Sequence, residues 1–160
     1  MAATARSRCR PKGRTCHLID IENLCGGTAG VDEAAVATAV ARYKRTITVA
    51  DDDLVVIGSG PTLAPVAKAA WPSARLVVGR GVDGADRALL AADEPRFLAD
   101  RFDRVVVGSG DHAFTELVID LRSRGTAVCV VTRDRASGSD SLRRWAPCRP
   151  LVPEAVTPPA

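Results

Sequence analysis

Three aspartates stand where an apolar run gives way to a turn or a helix: Asp20 after TCHLI, Asp86 after RLVV and a glycine-rich loop, and Asp111 after VVVGSG. A β-branched run that stops at glycines and hands over to a helix marks a strand buried on both faces of a parallel sheet. In open α/β sheets the carboxyl edge of the strands is where ligands bind. Each acid taken singly is equally suited to capping the helix that follows it; three equivalent placements are what point to a shared site. Carboxylates gathered at one edge repel one another, and withdrawing them from water is costly unless a cation neutralises them. Oxygen ligands without His or Cys suit a hard divalent ion, Mg²⁺ or Mn²⁺, that keeps several waters. Such an ion acidifies water and stabilises charge on phosphate oxygens.

The elements that must position these acids follow from the apolar pattern. Strands are expected at Thr15–Asp20, Leu54–Ile57, Arg75–Val78, Val105–Val107 and Ala127–Val131. Helices are expected from Asp32, an N-cap, to about Lys44, then up to Trp71, over Arg87–Ala92, over Ala113–Arg124 with Gly125 as its stop, and over Ser139–Ala146. Five strands alternating with helices argue for a right-handed βαβ series in a doubly wound sheet. VVIGSGP at 55–61 parallels VVVGSGD at 105–111 but carries Pro61 where the later copy has Asp111, so the turn needs its glycines and not the acid. Asp51, Asp52 and Asp53 read as a solvated connection. Gly79, Gly81 and Gly84 spell G-x-G-x-x-G after a strand, but that fingerprint belongs to a first βαβ unit followed by an acid closing the next strand, neither of which holds here.

Size and charge bound the rest. A chain of 160 residues suits one domain, and with 46% apolar but only 4% aromatic residues its core must be built from Val, Leu, Ala and Ile. The net charge of +3 is unevenly placed: Arg6, Arg8, Arg10, Lys12 and Arg14 precede the first acid, and the rest of the chain sums to −2. Residues 1–14 are therefore read as a basic flexible arm able to contact phosphates, residues 15–147 as the domain, and 148–160 as a Pro-rich tail, extended over an edge or disordered. No apolar run reaches membrane-spanning length and no signal-peptide core is present, so a cytoplasmic protein with no membrane partner is expected. Five cysteines without a C-x-x-C pair read as reduced thiols; Cys16, His17 and Cys25 are too irregularly spaced for a zinc site.

Four segments in order, Asp20-Ile-Glu-Asn23, Gly84-Ala-Asp86-Arg-Ala-Leu, Ser109-Gly-Asp111-His-Ala-Phe and Ser139-Asp-Ser-Leu142, resemble the motifs of NYN domains, within the PIN-like nuclease superfamily, and most of all its LabA-like branch. The resemblance spans about Thr15 to Ala146. It implies a Rossmann-like three-layer α/β/α sandwich with a mostly parallel five-stranded sheet, and a ribonuclease whose acids bind Mg²⁺ or Mn²⁺ and hydrolyse RNA phosphodiesters. On that mapping Asp20, Asp86 and Asp111 match the metal-binding and catalytic acids, and Asn23 the polar partner that orients the first acid or the scissile phosphate. Asp83, Ser109, His112 and Ser139 are auxiliary positions. Arg133, Arg135, Arg143 and Arg144 could contact RNA phosphates. Many relatives carry a second acid two residues after the one matching Asp111; Ala113 occupies that position here. Asp83 is placed to replace the lost charge, or is a turn residue. The alternative is an RNA-binding or protein-interaction module on the same fold with little or no catalysis. A homodimer paired through a helix face is compatible with such a small domain.

Overall fold

The computed structural model describes residues 13–154. Six strands, β1 (Thr15–Asp20), β2 (Leu54–Ser59), β3 (Arg75–Val78), β4 (Arg104–Gly108), β5 (Ala127–Thr132) and β6 (Cys148–Pro150), form one sheet in the order β3-β2-β1-β4-β5-β6. Every pairing is parallel. The order reverses between β1 and β4, which makes a topological switch point there, the crevice that binds ligands in folds of this kind.

Among the described residues seven α-helices cover the sheet: α1 (Ile21–Cys25), α2 (Glu33–Thr46), α3 (Ala64–Ala70), α4 (Gly84–Ala92), α5 (Pro95–Arg101), α6 (Thr115–Ser123) and α7 (Asp140–Trp145), with a 3-10 turn at His112–Phe114. Successive strand side chains point to opposite faces, and the core divides accordingly. Ile19, Val55, Ile57, Val106, Cys129 and Val131 pack with the α2 stripe Val36, Ala39, Val40 and Tyr43. Cys16, Leu18, Val105, Val107, Val128 and Val130 pack on the other face with Leu89 of α4, Leu98 of α5, Leu117, Val118 and Leu121 of α6, and Leu142 of α7. Two cores around one sheet make the expected Rossmann-like sandwich.

The sheet has six strands, not five. Cys148–Pro150, assigned to the tail, pairs with β5 through Val130, Val131 and Thr132. Leu151 beyond it is buried, and Arg42 Nε donates to Val152 O at 2.7 Å. The tail thus covers an edge through residue 152; residues 1–12 of the arm and 155–160 lie outside the described residues. Helix α5 is a further addition to the expected elements: Pro95 starts it at a position where a missing N–H costs nothing. Asp53 is no solvated turn residue. Its carboxylate accepts Thr15 N at 2.9 Å and Ala50 N at 2.8 Å, and lies 3.2 Å from His17 Nε2, while His17 Nδ1 bonds the buried Tyr43 hydroxyl at 2.7 Å. His17 is therefore a core residue tying β1 to α2 and to the loop before β2. Cys16 faces the opposite core, so the Cys16, His17 and Cys25 trio does not converge.

Candidate active site

The carboxyl ends of the strands line up by register, Asp20 beside Gly58 and Ile19 beside Gly108. Outside them lies a cleft of about 420 Å³ lined by Asp20, Glu22, Asp83, Asp86, Asp111 and Arg133, with Asn23 and Ser137. Residues separated by more than a hundred positions meet there because β1, β4 and β5 are neighbours and the β3–α4 loop folds over the same edge.

Asp20 ends β1 and caps α1, its Oδ1 accepting Asn23 N at 3.1 Å. Its carboxyl is buried and in hydrogen-bonding reach of Asp86, whose side chain is also buried on the first turn of α4. Burial above all, and then the Asp86 carboxyl beside it, push Asp20 up to about 8. Asp86 Oδ1 has no hydrogen-bond partner, one of two such buried side-chain atoms among the described residues. An orphaned carboxylate oxygen against a second buried carboxyl is the environment that a hard cation would relieve, so these two residues fit Mg²⁺ or Mn²⁺.

Asp111 lines the same cleft but is partly exposed and spends Oδ1 on Ala113 N at 2.8 Å, so it also caps the turn after β4. Among the described residues no three His, Cys, Asp or Glu side chains stand together at ligand spacing. The three acids therefore line one cleft, with Asp86 beside Asp20, but do not form a three-ligand group. A hard cation that retains several waters needs only one or two direct carboxylate ligands. Asp83 also reaches the cleft. It sits at φ 54°, the left-handed region, with its side chain free of any capping bond to α4.

Asn23 does two jobs: its N–H orients Asp20, and its Oδ1 accepts Gly110 N at 2.9 Å, clamping α1 to the turn before Asp111. Ser109 and Ser139 stand behind the site, outside the cleft lining. Ser109 is fully buried and its Oγ accepts Asp111 N at 3.2 Å; Ser139 caps α7 through Leu142 N and donates its own N–H to Gly110 O at 3.0 Å. His112 points into solvent, with Nδ1 3.4 Å from Asp111 Oδ1.

Of the four arginines expected at phosphates, only Arg133 lines the cleft. Its Nε donates to Asp134 Oδ2 at 2.9 Å, and Ser137 Oγ donates to Asp134 Oδ1 at 2.6 Å, which holds the loop after β5 in place. Arg143 bonds the carbonyls of Gly138 and Arg135, and lines with Arg135 a separate depression beside β6; Arg144 lies beside Trp145 on α7. Arg135 in the loop before α7, and Arg143 and Arg144 on α7, lie outside the lining of the acidic cleft.

Glu22 is the site residue the strand-end pattern misses. It sits between Asp20 and Asn23, and its Oε1 accepts Gly60 N at 2.6 Å. Its signal is the tetrapeptide Asp20-Ile-Glu-Asn23 itself, since α1 brings its first turn onto the cleft. The glycine fingerprint has a packing cause: a Cβ on Gly79 would fall 1.7 Å from Gly84 O. The two glycines let the end of β3 lie against the start of α4 and so seat Asp86. Compared with protein-family models and with curated proteins, the chain matches none.

Proposed function

We propose that the chain is a metal-dependent ribonuclease of the PIN-like kind, hydrolysing RNA phosphodiesters at the cleft on the carboxyl edge of the sheet. The observation that carries this reading is the buried pair Asp20 and Asp86, with one oxygen of Asp86 unpartnered, inside a cleft whose other acids are Glu22, Asp83 and Asp111. Asp20 and Asp86 would hold Mg²⁺ or Mn²⁺, with Asp111 and Asp83 attracting its hydration shell. Bound there, the cation would supply an acidified water and charge stabilisation on the phosphate. The chain's own residues do the rest. Asn23 fixes the rotamer of Asp20 through its N–H and fixes the Asp111 turn through its side chain. Arg133, held by Asp134, offers the cleft's guanidinium to a phosphate oxygen.

The test uses purified protein, Mn²⁺ and labelled RNA. Cleavage is expected to require the metal and to fall at least about a hundredfold in Asp20→Asn and in Asp86→Asn, the scale of losing an electrostatic group that acts in the transition state. Cleavage that survives both substitutions would falsify the reading. A catalytically weak RNA-binding module is favoured by one observation: Asp111 has Oδ1 committed to the backbone N–H of residue 113, and that residue is Ala, which offers no second carboxylate. RNA binding that persists in EDTA without any cleavage would select that module.

A further inference from the structure

A second depression, of about 310 Å³, adjoins the acidic cleft and shares Glu22 with it; Thr28, Gly60, Thr62, Gly79 and Gly81 complete most of its lining. We propose that this groove is the subsite for the nucleoside next to the scissile phosphate, and that Glu22 is the residue that selects ribose over deoxyribose by accepting the 2′-hydroxyl. The inference rests on the ribonuclease reading and extends it to the substrate.

The geometry carries the argument. Glu22 Oε1 is taken by Gly60 N at 2.6 Å, which pins the carboxylate between the two depressions and leaves Oε2 with no partner among the described residues. Gly60 is needed for that seat, because a Cβ there would stand 2.7 Å from Oε1. A carboxylate repels a phosphate, so the phosphates belong on the acid-bound cation and the groove takes the neutral part of a nucleotide. An anionic acceptor favours a hydroxyl donor. The 2′-hydroxyl is the group that distinguishes RNA from DNA. The hydroxyls of Thr28 and Thr62, on the exposed rim, make no hydrogen bond among the described residues and remain available to a sugar or base. Gly60, Gly79 and Gly81 present backbone to the groove, and at Gly81 a Cβ would meet nothing nearer than Arg87 at 3.9 Å, so the lining is open there. The volume lies near the lower end of small-ligand pockets, roughly 300–1,000 Å³, enough for one nucleoside.

The experiment is fluorescence anisotropy in Ca²⁺ with a labelled single-stranded RNA and the DNA of the same sequence. The full-length protein is expected to prefer the RNA by about tenfold, the worth of one charge-assisted hydrogen bond. Glu22→Ala should bring the ratio close to one. Glu22→Gln, which keeps an oxygen for Gly60 N and so guards against a folding artefact, should lower it several-fold. The ratio cancels any uniform gain from deleting a negative charge. An unchanged ratio in Glu22→Ala, or no preference in the unsubstituted protein, or no binding of either strand, overturns the inference; so does an equal loss on both strands with a raised metal requirement, which would make Glu22 a metal ligand. A protein that selects RNA through Glu22 yet cuts nothing with Mn²⁺ would sink the ribonuclease reading and leave the subsite standing.

Discussion

The Asp20 carboxyl carries a cost that folding alone does not repay. Its folded pKa, about 8, lies far above the ordinary carboxyl value of 3.8, with burial the main cause and Asp86 the next. A group raised in this way binds more protons folded than unfolded between those two values. Its contribution to stability is therefore complete below about pH 4 and is lost as pH rises towards 8. Asp20→Asn keeps an oxygen able to cap Asn23 N and removes the charge. In metal-free protein this variant should melt several degrees above the unsubstituted chain at pH 8, at about 2–4 °C per kcal/mol for a chain of this size. The gap should close by about pH 4, and Mn²⁺ should raise the melting temperature of the unsubstituted protein more than that of the variant. Differential scanning calorimetry across pH, with and without Mn²⁺, checks all three.

At the scale of elements, strands with continuous apolar runs were legible and short or proline-bearing ones were not. Val105–Val107 can only be an interior strand, because three β-branched residues in succession bury both faces of the sheet. Cys148-Arg-Pro has no such pattern. It becomes a strand because β5 would otherwise expose its edge, and Pro150 is tolerated there because an edge strand has one side free of pairing. The same strand delivers Leu151 into the core shared with Tyr43 and Val131. Leu151→Ala should cost about 2–4 kcal/mol, the range for emptying a buried leucine site. Urea denaturation should show that loss with an unchanged m-value, and a cost within a few tenths of a kcal/mol would return the segment to the status of a loose tail. Helix α7, six residues long and capped by Ser139, was visible in sequence, but which way its arginines point was not. That depends on how Gly110 O anchors its first turn.

Across the whole molecule, the start of β1 and the cleft lie at opposite edges of the sheet. β1 begins at Thr15 and ends at Asp20, so Gly13 and Arg14 enter the sheet at its amino edge while the acids gather at the carboxyl edge. At the root of the arm, Arg14 stacks over Phe102, and its Nε donates to Asp52 O at 2.9 Å. Arg6, Arg8, Arg10 and Lys12 precede it in the chain. Removing residues 1–12 should therefore weaken RNA binding and flatten its salt dependence, by up to about 0.7 in slope for each single-strand phosphate that the arm neutralises. The turnover of bound RNA should be unchanged. Binding titrations at several salt concentrations with single-turnover cleavage separate the two effects, and an unaltered salt slope would remove the arm from the interface. Among the described residues no helix is long and apolar enough to cross a membrane.

By itself the sequence determined the α/β class, the alternation of strand and helix, and the placing of Asp20, Asp86 and Asp111 at strand or helix ends, because hydrophobic period and glycine turns act over a few residues. Only the tertiary structure decided which acids touch. Asp86 comes beside Asp20 as Gly79 and Gly84 let the start of α4 pack against the end of β3, while Asp111 has Oδ1 tied to Ala113 N. It also decided that Glu22 faces two depressions and that one arginine of four reaches the acids. Those outcomes depend on strand order and on contacts between segments far apart in the chain, and no local pattern encodes them.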